Sequence, residues 1–234
     1  MYKKKNILAI IPARGGSKGI KNKNLKKIFN QSLVARAIIF AKKIKYIDDI
    51  IVSTDSSIIK KEAINFNINF PFFRQKKLSG DHISDYDVLV DVLKKTEKLN
   101  KKKYDYIAML QPTSPLRTSQ EFRECLLRIY KKNFDSVWTI SEIDKKYNYL
   151  KQFRVQKDKI SLIDKKGYQV INRQALDKTY IRNGAIYLFS RDCLIKQKNI
   201  YGKKQGYLIS KIKHISIDSV KDLQLVKNIL KKKY

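Results

Sequence analysis

The chain has few of the residues from which metal clusters and flexible linkers are built. Its 234 residues include two cysteines and two histidines, too far apart to match any metal-ligand spacing: Cys125, Cys193, His82 and His214. Eight glycines and four prolines are too few for a long disordered linker. No apolar run reaches the roughly 20 residues of a membrane-spanning helix, and no small-residue cleavage site follows the basic N-terminus. We therefore expect a cytoplasmic protein with no membrane partner.

Acidic residues are also scarce, with 21 aspartates and glutamates against 52 lysines and arginines, for a formal net charge of +31. Such a charge fits either a nucleic-acid-binding protein or a general lysine bias. Only ten of the basic residues are arginines, and the lysines are spread along the whole chain. Because nucleic-acid readers more often concentrate arginine and interleave exposed aromatic residues, we favour the lysine bias and expect no specific nucleic-acid partner. The charge would still attract small anionic ligands.

Short apolar runs and longer amphipathic segments alternate along the chain. The short β-branched runs predict buried strands, and apolar residues at helical spacing predict helices. This order predicts an α/β fold with a parallel sheet covered on both faces, and the length suits one domain over residues 1–234. The predicted strands cover residues 6–11, 49–54, 69–73, 105–110, 136–140 and 184–190. The predicted helices cover residues 32–44, 85–99, 119–132 (capped by Ser119) and 219–232, with one more capped by Asp55 or Ser56.

Residues 142–180 interrupt the alternation. They are polar, rich in aromatic residues and short in period, which indicates short hairpin strands or loops. We expect a small excursion from the main domain here.

The most informative segment joins the first predicted strand to the loop that follows it. The apolar run Ile7–Ile11 leads directly into Pro-Ala-Arg-Gly-Gly-Ser-Lys-Gly at residues 12–19. Glycines let backbone N–H groups approach a phosphate closely, and Arg14 and Lys18 add positive charge, with arginine able to hold two phosphate oxygens at once. The spacing matches neither the Walker A loop nor the dinucleotide fingerprint. A phosphate-binding loop and a plain basic turn are both open at this point.

Polar clusters follow several of the predicted strands, where open parallel sheets bind their ligands. Each cluster alone is weak evidence, because Ser-Thr-Asp after a strand is most often a helix cap and Pro-Thr-Ser-Pro is most often a plain turn. Together they predict one binding site at the carboxyl edge of the sheet. The clusters are residues 14–24, Ser53–Asp55, Arg74 with residues 79–85, Gln111–Arg117 and Arg182–Gly184.

Four blocks of this sequence resemble the signatures of one enzyme family, the CMP-sialic acid synthetases or acylneuraminate cytidylyltransferases, which include the legionaminic and pseudaminic acid cytidylyltransferases. The resemblance covers nearly the whole chain, and the blocks keep the family's order and spacing. They are residues 11–19 with Lys23–Leu25, Val52–Asp55, Leu110–Arg117, and Asn183–Tyr187 followed by Ile217–Ser219.

The resemblance implies a three-layer, mainly parallel Rossmann-like sheet of the nucleotidyltransferase type, with residues 142–180 as a small excursion that packs against a second subunit in a homodimer. It implies transfer of CMP from CTP to the anomeric hydroxyl of a nonulosonic acid, an acidic nine-carbon sugar, with release of pyrophosphate. It also implies Mg²⁺ as the cofactor, because this ion bridges phosphate oxygens and carboxylates.

The same resemblance implies roles for individual residues. Arg14, Lys18 and Asp218 would be catalytic: the two cations would stabilise the charge that develops as pyrophosphate leaves, and Asp218 would bind Mg²⁺. The nucleotide would be held by Arg14, Gly15, Gly16, Ser17, Lys18, Lys23, Asn24, Arg74 and Ser84. The sugar would be held by Gln111, Arg173 and Asn183, with Arg173 on its carboxylate.

Three positions depart from the family pattern. Ser216 stands where many relatives carry a second metal-binding aspartate, and Asp85 stands where relatives have serine. Arg182 directly precedes Asn183, whereas relatives often separate the two by one residue. A shift of one residue along a strand turns a side chain to the opposite face, so no catalytic role is carried over to Arg182.

Two other functions stay open beside this one. A nucleotidyltransferase of similar fold could act on another sugar acid, as the Kdo-activating enzymes do, although those carry Tyr-Gly-Ser in the glycine loop. A basic RNA-binding protein without enzymatic activity is suggested only by the charge. No motif identifies which nonulosonic acid would be the substrate.

Overall fold

A computed structural model describes residues 2–17 and 19–232. Within these residues the chain forms ten strands and six helices. The strands are β1 (Ile7–Pro12), β2 (Lys27–Ile28), β3 (Gln31–Ser32), β4 (Asp49–Ser53), β5 (Tyr106–Met109), β6 (Ser136–Glu142), β7 (Phe153–Gln156), β8 (Lys159–Leu162), β9 (Tyr180–Ser190) and β10 (Gln205–Ile209). The helices are α1 (Leu33–Lys43), α2 (Ser57–Asn65), α3 (Asp85–Asn100), α4 (Ser119–Lys132), α5 (Arg191–Ile195) and α6 (Val220–Lys231).

One six-stranded sheet, in the order β10–β6–β9–β5–β1–β4, forms the centre of the molecule. β1 pairs in parallel with β4 and β5, and β10 pairs in parallel with β6. β9 runs antiparallel between β5 and β6. The predicted α/β fold with a mainly parallel sheet is confirmed, with β9 as its one reversed strand among the described residues. The other strands end at one edge of the sheet, and β9 begins there.

Helices cover both faces of this sheet. The burial of β1 on both sides explains why its sequence is apolar without interruption. Ile7, Ala9 and Ile11 face one core, where α1, α2 and α4 pack. Leu8 and Ile10 face the other core, to which α3 and α5 contribute. All five side chains are fully buried. A strand buried on both faces has no polar side to present, so the alternation of a half-exposed strand is absent.

The predicted excursion lies between the end of β6 at Glu142 and the start of β9 at Tyr180. We refer to residues 143–179 as the excursion. It contains short 3₁₀ turns and the hairpin formed by β7 and β8, in agreement with the hairpins or loops indicated by the sequence.

Two local predictions are wrong. Residues 69–73 form no strand, because Pro71 has no N–H for a ladder; instead Phe70 and Phe73 pack edge to face at 5.1 Å. The cap of α4 is Thr118, not Ser119: the Thr118 hydroxyl accepts from the Glu121 N–H, and the Glu121 carboxylate accepts from the Thr118 N–H. This reciprocal pair is a capping box. The cap of α2 is Ser56, one of the two residues predicted.

In the part of the chain that the structure describes, no helix combines the length and the apolar character needed to cross a membrane.

Candidate active site

A cavity of about 360 Å³ opens at the edge where the parallel strands end. Arg14 follows β1, Gln111 follows β5, and Arg74, from the segment between α2 and α3, is hydrogen-bonded to Ser53 at the end of β4, so three of the predicted polar clusters meet in it. Its wall includes Pro12, Arg14, Ser17, Gly19, Lys23, Asn24, Arg74, Asp81, Asp85, Gln111 and Thr113. The predicted nucleotide residues Gly15, Gly16 and Ser84 do not belong to the described lining, and Lys18 lies outside the described residues.

The glycine loop is fastened to the chain that follows β4. The backbone N–H of Gly15 donates to Asp55 Oδ1 at 2.8 Å, and the N–H of Ala13 donates to the carbonyl of Ser53 at 2.9 Å. A Cβ on Gly15 would lie 3.0 Å from the Ser56 Cβ, so this close approach favours glycine. Asp55 therefore has a structural role at the loop, in addition to its place in the Val-Ser-Thr-Asp block.

Arg14 reaches across the cavity to the segment before α3. Its NH2 lies 2.7 Å from Asp81 Oδ1, and its NH1 donates to the carbonyl of Ser79 at 3.2 Å. The backbone carbonyl of Arg14 accepts from the Asn24 amide at 2.9 Å. The predicted phosphate-binding arginine is thus held by two neighbours, and a carboxylate occupies the position that an anionic ligand would take.

Lys23 and Asp218 form an ion pair beside the glycine loop. The distance from Lys23 Nζ to Asp218 Oδ1 is 2.7 Å, and the Asp218 side chain is 70% exposed. The preceding residue, Ile217, is fully buried, and its N–H donates to the Thr113 carbonyl at 2.8 Å. A Cβ on Gly19 would lie 2.9 Å from the Asp218 carbonyl, so the loop and this segment are in close contact. Folding therefore brings Asp218 to the glycine loop, although the two are far apart in sequence.

Arg74 is buried, and its guanidinium is anchored to the end of β4. Its Nε donates to Ser53 Oγ at 3.0 Å and its NH2 donates to the Ser53 carbonyl at 2.8 Å. Burial lowers the pKa of Arg74 to about 10, against the attraction of Asp55. The arginine remains charged near neutral pH, and it contributes a fixed positive charge to the cavity wall.

Asp85 stands at the first turn of α3, on the wall of the cavity. Burial raises the pKa of its carboxyl group, and the charges of Arg182 and Arg74 oppose that rise. Arg182 itself lines a neighbouring groove with Trp138, Tyr180 and Tyr201. Two of the three departures from the family pattern, Asp85 and Arg182, therefore influence each other electrostatically.

Ser84 caps α3 rather than facing the cavity. Its hydroxyl accepts from the Asp87 N–H at 3.2 Å and donates to Asp87 Oδ2 at 2.7 Å. Both hydrogen-bonding functions of the hydroxyl are used within the helix cap.

Gln111 begins the loop that carries the Pro-Thr-Ser-Pro sequence, and that loop contacts Gly184. Gly184 has φ +72°, and a Cβ there would lie 2.6 Å from Ser114 Oγ and 2.7 Å from Gln111 Oε1. Both the dihedral and the crowding require glycine. The Asn-Gly sequence after Arg182 therefore allows β9 to pass directly against the loop, with the Gln111 amide beside it.

The Asn183 side chain joins β9 to β6 and to Ser210, which directly follows β10, and its hydrogen-bonding capacity is fully used. Its Oδ1 accepts from Thr139 Oγ1 at 2.7 Å and from the Ala185 N–H at 3.1 Å. Its Nδ2 donates to Ser141 Oγ and Ser210 Oγ, each at 3.0 Å. The amide can make four hydrogen bonds and makes all four within the protein.

Arg173 lies in the excursion and is not part of the described cavity wall. Its side chain is 56% exposed, and its NH2 donates to Asp144 within the excursion. The chain's own fold therefore does not bring this predicted sugar-carboxylate ligand to the cavity.

The structure adds cavity residues that the sequence did not single out. Asp81 is the partner of Arg14, and Thr113 forms part of the wall. Asp81 lies inside the predicted 79–85 cluster, but only the fold shows that it faces Arg14. An acidic residue between a glycine turn and a helix cap gives no sequence signal of its own.

The acidic groups at this edge suit a metal ion that takes most of its ligands from elsewhere. The described residues contain no cluster of three or more histidines, cysteines or carboxylates that could hold a metal. The most exposed carboxylate in an ion pair at the cationic loop is that of Asp218, whose side chain is 70% exposed. Mg²⁺ commonly binds through one or two carboxylates together with phosphate oxygens and water, so this donor set fits Mg²⁺ and does not fit a metal that needs a full protein cage.

An α/β sheet with a cationic loop at its carboxyl edge defines a nucleotide-binding class of protein. A cytidylyltransferase family model matches residues 8–233, and the chain belongs to this family.

Among curated relatives, a post-translational flagellin modification protein B of Campylobacter coli is 32% identical, with 97% of this chain and 96% of that protein covered. A CMP-N,N'-diacetyllegionaminic acid synthase of Campylobacter jejuni subsp. jejuni serotype O:2 is 30% identical, with coverage of 96% and 94%. Among solved structures, a CMP:2-keto-3-deoxy-manno-octonic acid synthetase complexed with CTP has a TM-score of 0.71 at 15% identity, with 98% of this chain and 100% of that chain covered. That likeness supports the fold.

Proposed function

We propose that this protein transfers CMP from CTP to the anomeric hydroxyl of a nonulosonic acid and releases pyrophosphate. The observation that carries the proposal is the cavity at the sheet edge, in which Arg14, Lys23 and Arg74 come together from separate segments. Several relatives are named for this kind of reaction, among them the legionaminic acid synthase and a pseudaminic acid cytidylyltransferase that is 25% identical. CTP is a cytoplasmic nucleotide, and we place the reaction in the cytoplasm.

In the proposed reaction the anomeric oxygen attacks the α-phosphorus of CTP. A new P–O bond forms to the sugar, and the bond from the α-phosphorus to the bridging oxygen of the β-phosphate breaks. Pyrophosphate leaves with that electron pair, and the hydroxyl proton passes to solvent or to a nearby base. Negative charge grows on the leaving group, so cations fixed beside it stabilise the transition state.

Arg14, Lys23 and Lys18 are the cations that we assign to the triphosphate. Arg14 and Lys23 are now paired with Asp81 and Asp218, each at 2.7 Å. Both pairs are partly exposed, so a triphosphate with several negative charges can displace the carboxylates at modest cost. Ser17 and Asn24 complete this side of the cavity.

We assign Asp218 to Mg²⁺, because its side chain is 70% exposed beside the loop, whereas that of Asp81 is 32% exposed and that of Asp55 accepts a hydrogen bond from Gly15. Asp218 would hold the ion, which would supply positive charge that offsets part of the charge of the phosphates. Displacement of Lys23 from Asp218 by the triphosphate would leave both groups with new partners: the ammonium would face phosphate, and the carboxylate would face the metal. A single protein carboxylate is sufficient for this arrangement, so Ser216 is compatible with activity.

The cytidine side of the cavity is assigned to Arg74 and Asp85. Arg74 is held rigidly by Ser53, and Asp85 can accept hydrogen bonds from a ribose or base. Ser84 acts through its cap on α3, which positions Asp85 one residue further on. Gly15 and Gly16 keep the loop backbone close to the nucleotide without lining the cavity themselves.

For the sugar we assign Gln111 as a direct contact and Asn183 as a positioning residue. The amide of Asn183 is fully hydrogen-bonded, so we infer that it fixes this part of β9 against β6 rather than binding the substrate. Arg173 would pair with the sugar carboxylate. Because this residue is remote from the cavity wall of its own chain, we infer that it acts in the site of a second copy.

The excursion has the surface that such a dimer needs. In the hairpin of β7 and β8, Phe153 pairs with Leu162 and Val155 pairs with Ile160, which places four apolar side chains on one face. Val155 is 70% exposed and Ile160 is 66% exposed. A two-stranded hairpin is marginal by itself, and an apolar face of this kind marks an interface. We propose that it packs against a second copy of the chain.

The oligomeric proposal is tested by light scattering on a size-exclusion column. The double variant Val155→Lys/Ile160→Lys should elute as a monomer, whereas wild type should be a dimer. Arg154→Gln/Lys159→Gln alters the opposite face of the same hairpin and should remain dimeric. A monomeric wild type would refute the dimer.

The activity is tested by pyrophosphate release with CTP, Mg²⁺ and a panel of acids: N-acetylneuraminic, legionaminic, pseudaminic and Kdo. We expect release with CTP and one nonulosonic acid, no release with UTP, and loss of release in Asp218→Ala but not in the exposed control Asp158→Asn. Release with Kdo alone would favour the alternative substrate. A folded protein that is silent with every acid would refute the proposal, and tight RNA binding by that protein would favour the remaining alternative.

A further inference from the structure

A second cavity, of about 440 Å³, lies beyond the loop that borders the candidate active site. The first half of that loop, Gln111–Thr113, lines the nucleotide cavity, and its second half, from Pro115 to Thr118, lines this one. Residues of α1 and the end of α6 complete the wall. The two cavities therefore share a loop and are otherwise formed by different parts of the chain.

The charge in this second cavity has one sign. Arg36 and Lys43 from α1 and Arg117 from the loop line it, and no carboxylate is among its described lining residues. Phe40, Pro115 and Leu230 provide apolar surface between the cations. Lys43 is exposed, and the Arg36 NH2 donates to the Ile28 carbonyl at 3.0 Å. The cavity thus combines positive charge with apolar surface.

Arg117 is the unusual member of this set, because it is buried with little compensation. The residue is 7% exposed, its guanidinium lies 5.6 Å from the centre of the Phe40 ring, and its NH2 donates to the Gln111 carbonyl. Its Nε and NH1 are buried and have no hydrogen-bond partner among the described residues. Burial lowers the pKa of Arg117 to about 9, and Glu121 opposes that effect only in part.

Glu121 is already committed to other groups. Its carboxylate accepts from the Thr118 N–H at 3.0 Å and lies 2.8 Å from His214 Nε2. A buried arginine without a full set of partners is costly. Arg117 is therefore a buried cation with two N–H groups that have no acceptor among the described residues.

We propose that the second cavity is a binding site for a small oxyanion, a phosphate or a carboxylate, which pairs with Arg117 and is flanked by Lys43 and Arg36. A guanidinium fork matches the spacing of two oxyanion oxygens, and a water-poor setting strengthens such a pair. The two N–H groups are buried as the protein stands and Arg117 lines the cavity, so we infer that the guanidinium turns toward the cavity when the anion binds. This site is separate from the proposed reaction and does not depend on it.

The test must distinguish this site from the nucleotide cavity, where phosphate would also bind. Two isoleucines make this possible, because Ile39 lines the second cavity and Ile83 lines the first. In protein labelled at the isoleucine δ1 methyl groups, inorganic phosphate and acetate are titrated separately at constant ionic strength, with chloride as the balancing anion. We expect a saturable shift of the Ile39 methyl with at least one of them, and the responding anion identifies the class.

Variants assign that shift to the cationic groups. Arg117→Met should abolish it, and Lys43→Gln should weaken the affinity about two- to five-fold, as expected for a partly solvated charge. Lys45→Gln makes the same charge change on an exposed residue outside the cavity lining, and it should leave the titration unchanged. A wild-type Ile39 methyl that does not respond in a saturable way to either anion overturns the proposal. So does an equal response in Arg117→Met or, should that variant not fold, equal affinities of Lys43→Gln and Lys45→Gln.

Discussion

The cavity at the sheet edge and the excursion hold their functional side chains in different ways. At the sheet edge, Arg74 is buried and makes two hydrogen bonds to Ser53, a residue of β4. In the excursion, Arg173 is 56% exposed and is paired with Asp144, a residue of the same excursion. The first arrangement fixes a side chain before any ligand arrives. The second leaves a side chain on a surface whose apolar face is uncovered in one copy of the chain.

This difference indicates how the two halves of the proposed site are completed. Cations at a nucleotide, such as Arg74 and the Arg14 that is held by Ser79 and Asp81, should be in place before the reaction, because their contribution comes from not having to reorganise as charge develops. A group that only recognises the sugar can be supplied by a peripheral segment such as the excursion. We therefore expect changes at the sheet edge to act mainly on the chemical step, and changes in the excursion to act mainly on sugar binding.

The largest effect is expected for Arg14→Ala. Loss of a fixed cation beside the leaving group should lower kcat/KM by about 10²–10³-fold, mainly through kcat, measured by pyrophosphate release. Lys21→Ala removes a neighbouring exposed charge that is not part of the described cavity wall, and it should be near wild type. Equal losses in the two variants would mean that general charge, not the position of Arg14, supports the reaction.

A smaller and different effect is expected for Arg173→Ala. Loss of a charge-assisted pair should raise the KM for the sugar about 10- to 100-fold, while the KM for CTP should hardly change. If Arg173 serves the site of the second copy, co-refolding Arg14→Ala with Arg173→Ala chains should restore activity, because one site of the mixed dimer is intact. Mixtures that remain as inactive as the separate variants would place Arg173 in its own chain's site or outside any site.

The next prediction concerns stability and the buried pair formed by Glu121 and His214. Hydrogen bonding and charge from His214 hold the pKa of Glu121 below its usual value, although burial acts in the opposite direction. Ionised Glu121 also forms the capping box of α4. Glu121→Gln should therefore lower the free energy of unfolding by about 1–3 kcal/mol at pH 7, measured by urea denaturation.

The pH dependence of that loss follows from the direction of the shift. A carboxyl group with a lowered pKa in the folded state stabilises the protein above its unfolded-state pKa of 4.5. This contribution disappears as the pH falls through the lower folded-state value. The difference between wild type and Glu121→Gln should be present at pH 7 and should narrow as the pH falls below about 4.5. Asp158→Asn, in the exposed hairpin turn, should show no such pH-dependent difference.

The sequence predicts the strands and helix caps around the cavity better than it predicts the contacts between separate segments there. The run Ile7–Ile11 is a good strand signal because both faces are buried, and the helix cap at Ser56 depends only on nearby residues. The reversed direction of β9 has no local signal, because an apolar run reads the same in either direction. The pairing of Arg14 with Asp81 is equally invisible, since it depends on where two loops meet in space.

In the excursion the sequence predicts the local structure but not the partner surface. Its short strands β7 and β8 were predictable as hairpin or loop, and the alternation of Phe153 and Val155 with polar residues is visible in the sequence. The sequence does not show what covers the resulting apolar face, because a partner surface is formed by residues that are far apart in the sequence. For the same reason the sequence could name Arg173 but could not say where it acts.

The smallest effect, and the finest test of preorganisation at the sheet edge, is expected for Asp81→Asn. In the protein as folded, Asp81 lies 2.7 Å from Arg14 where a phosphate oxygen would bind, so the carboxylate competes with the triphosphate and repels it. Because both side chains are about one-third exposed, the competition is partly screened, and its removal should tighten CTP binding only about two- to five-fold, measured by calorimetry. Asp158→Asn makes the same charge change in the excursion and should leave CTP affinity unaltered. Weaker CTP binding in Asp81→Asn would mean that Asp81 holds Arg14 in its productive position, and the pair would then be part of the preorganised site and not a competitor for it.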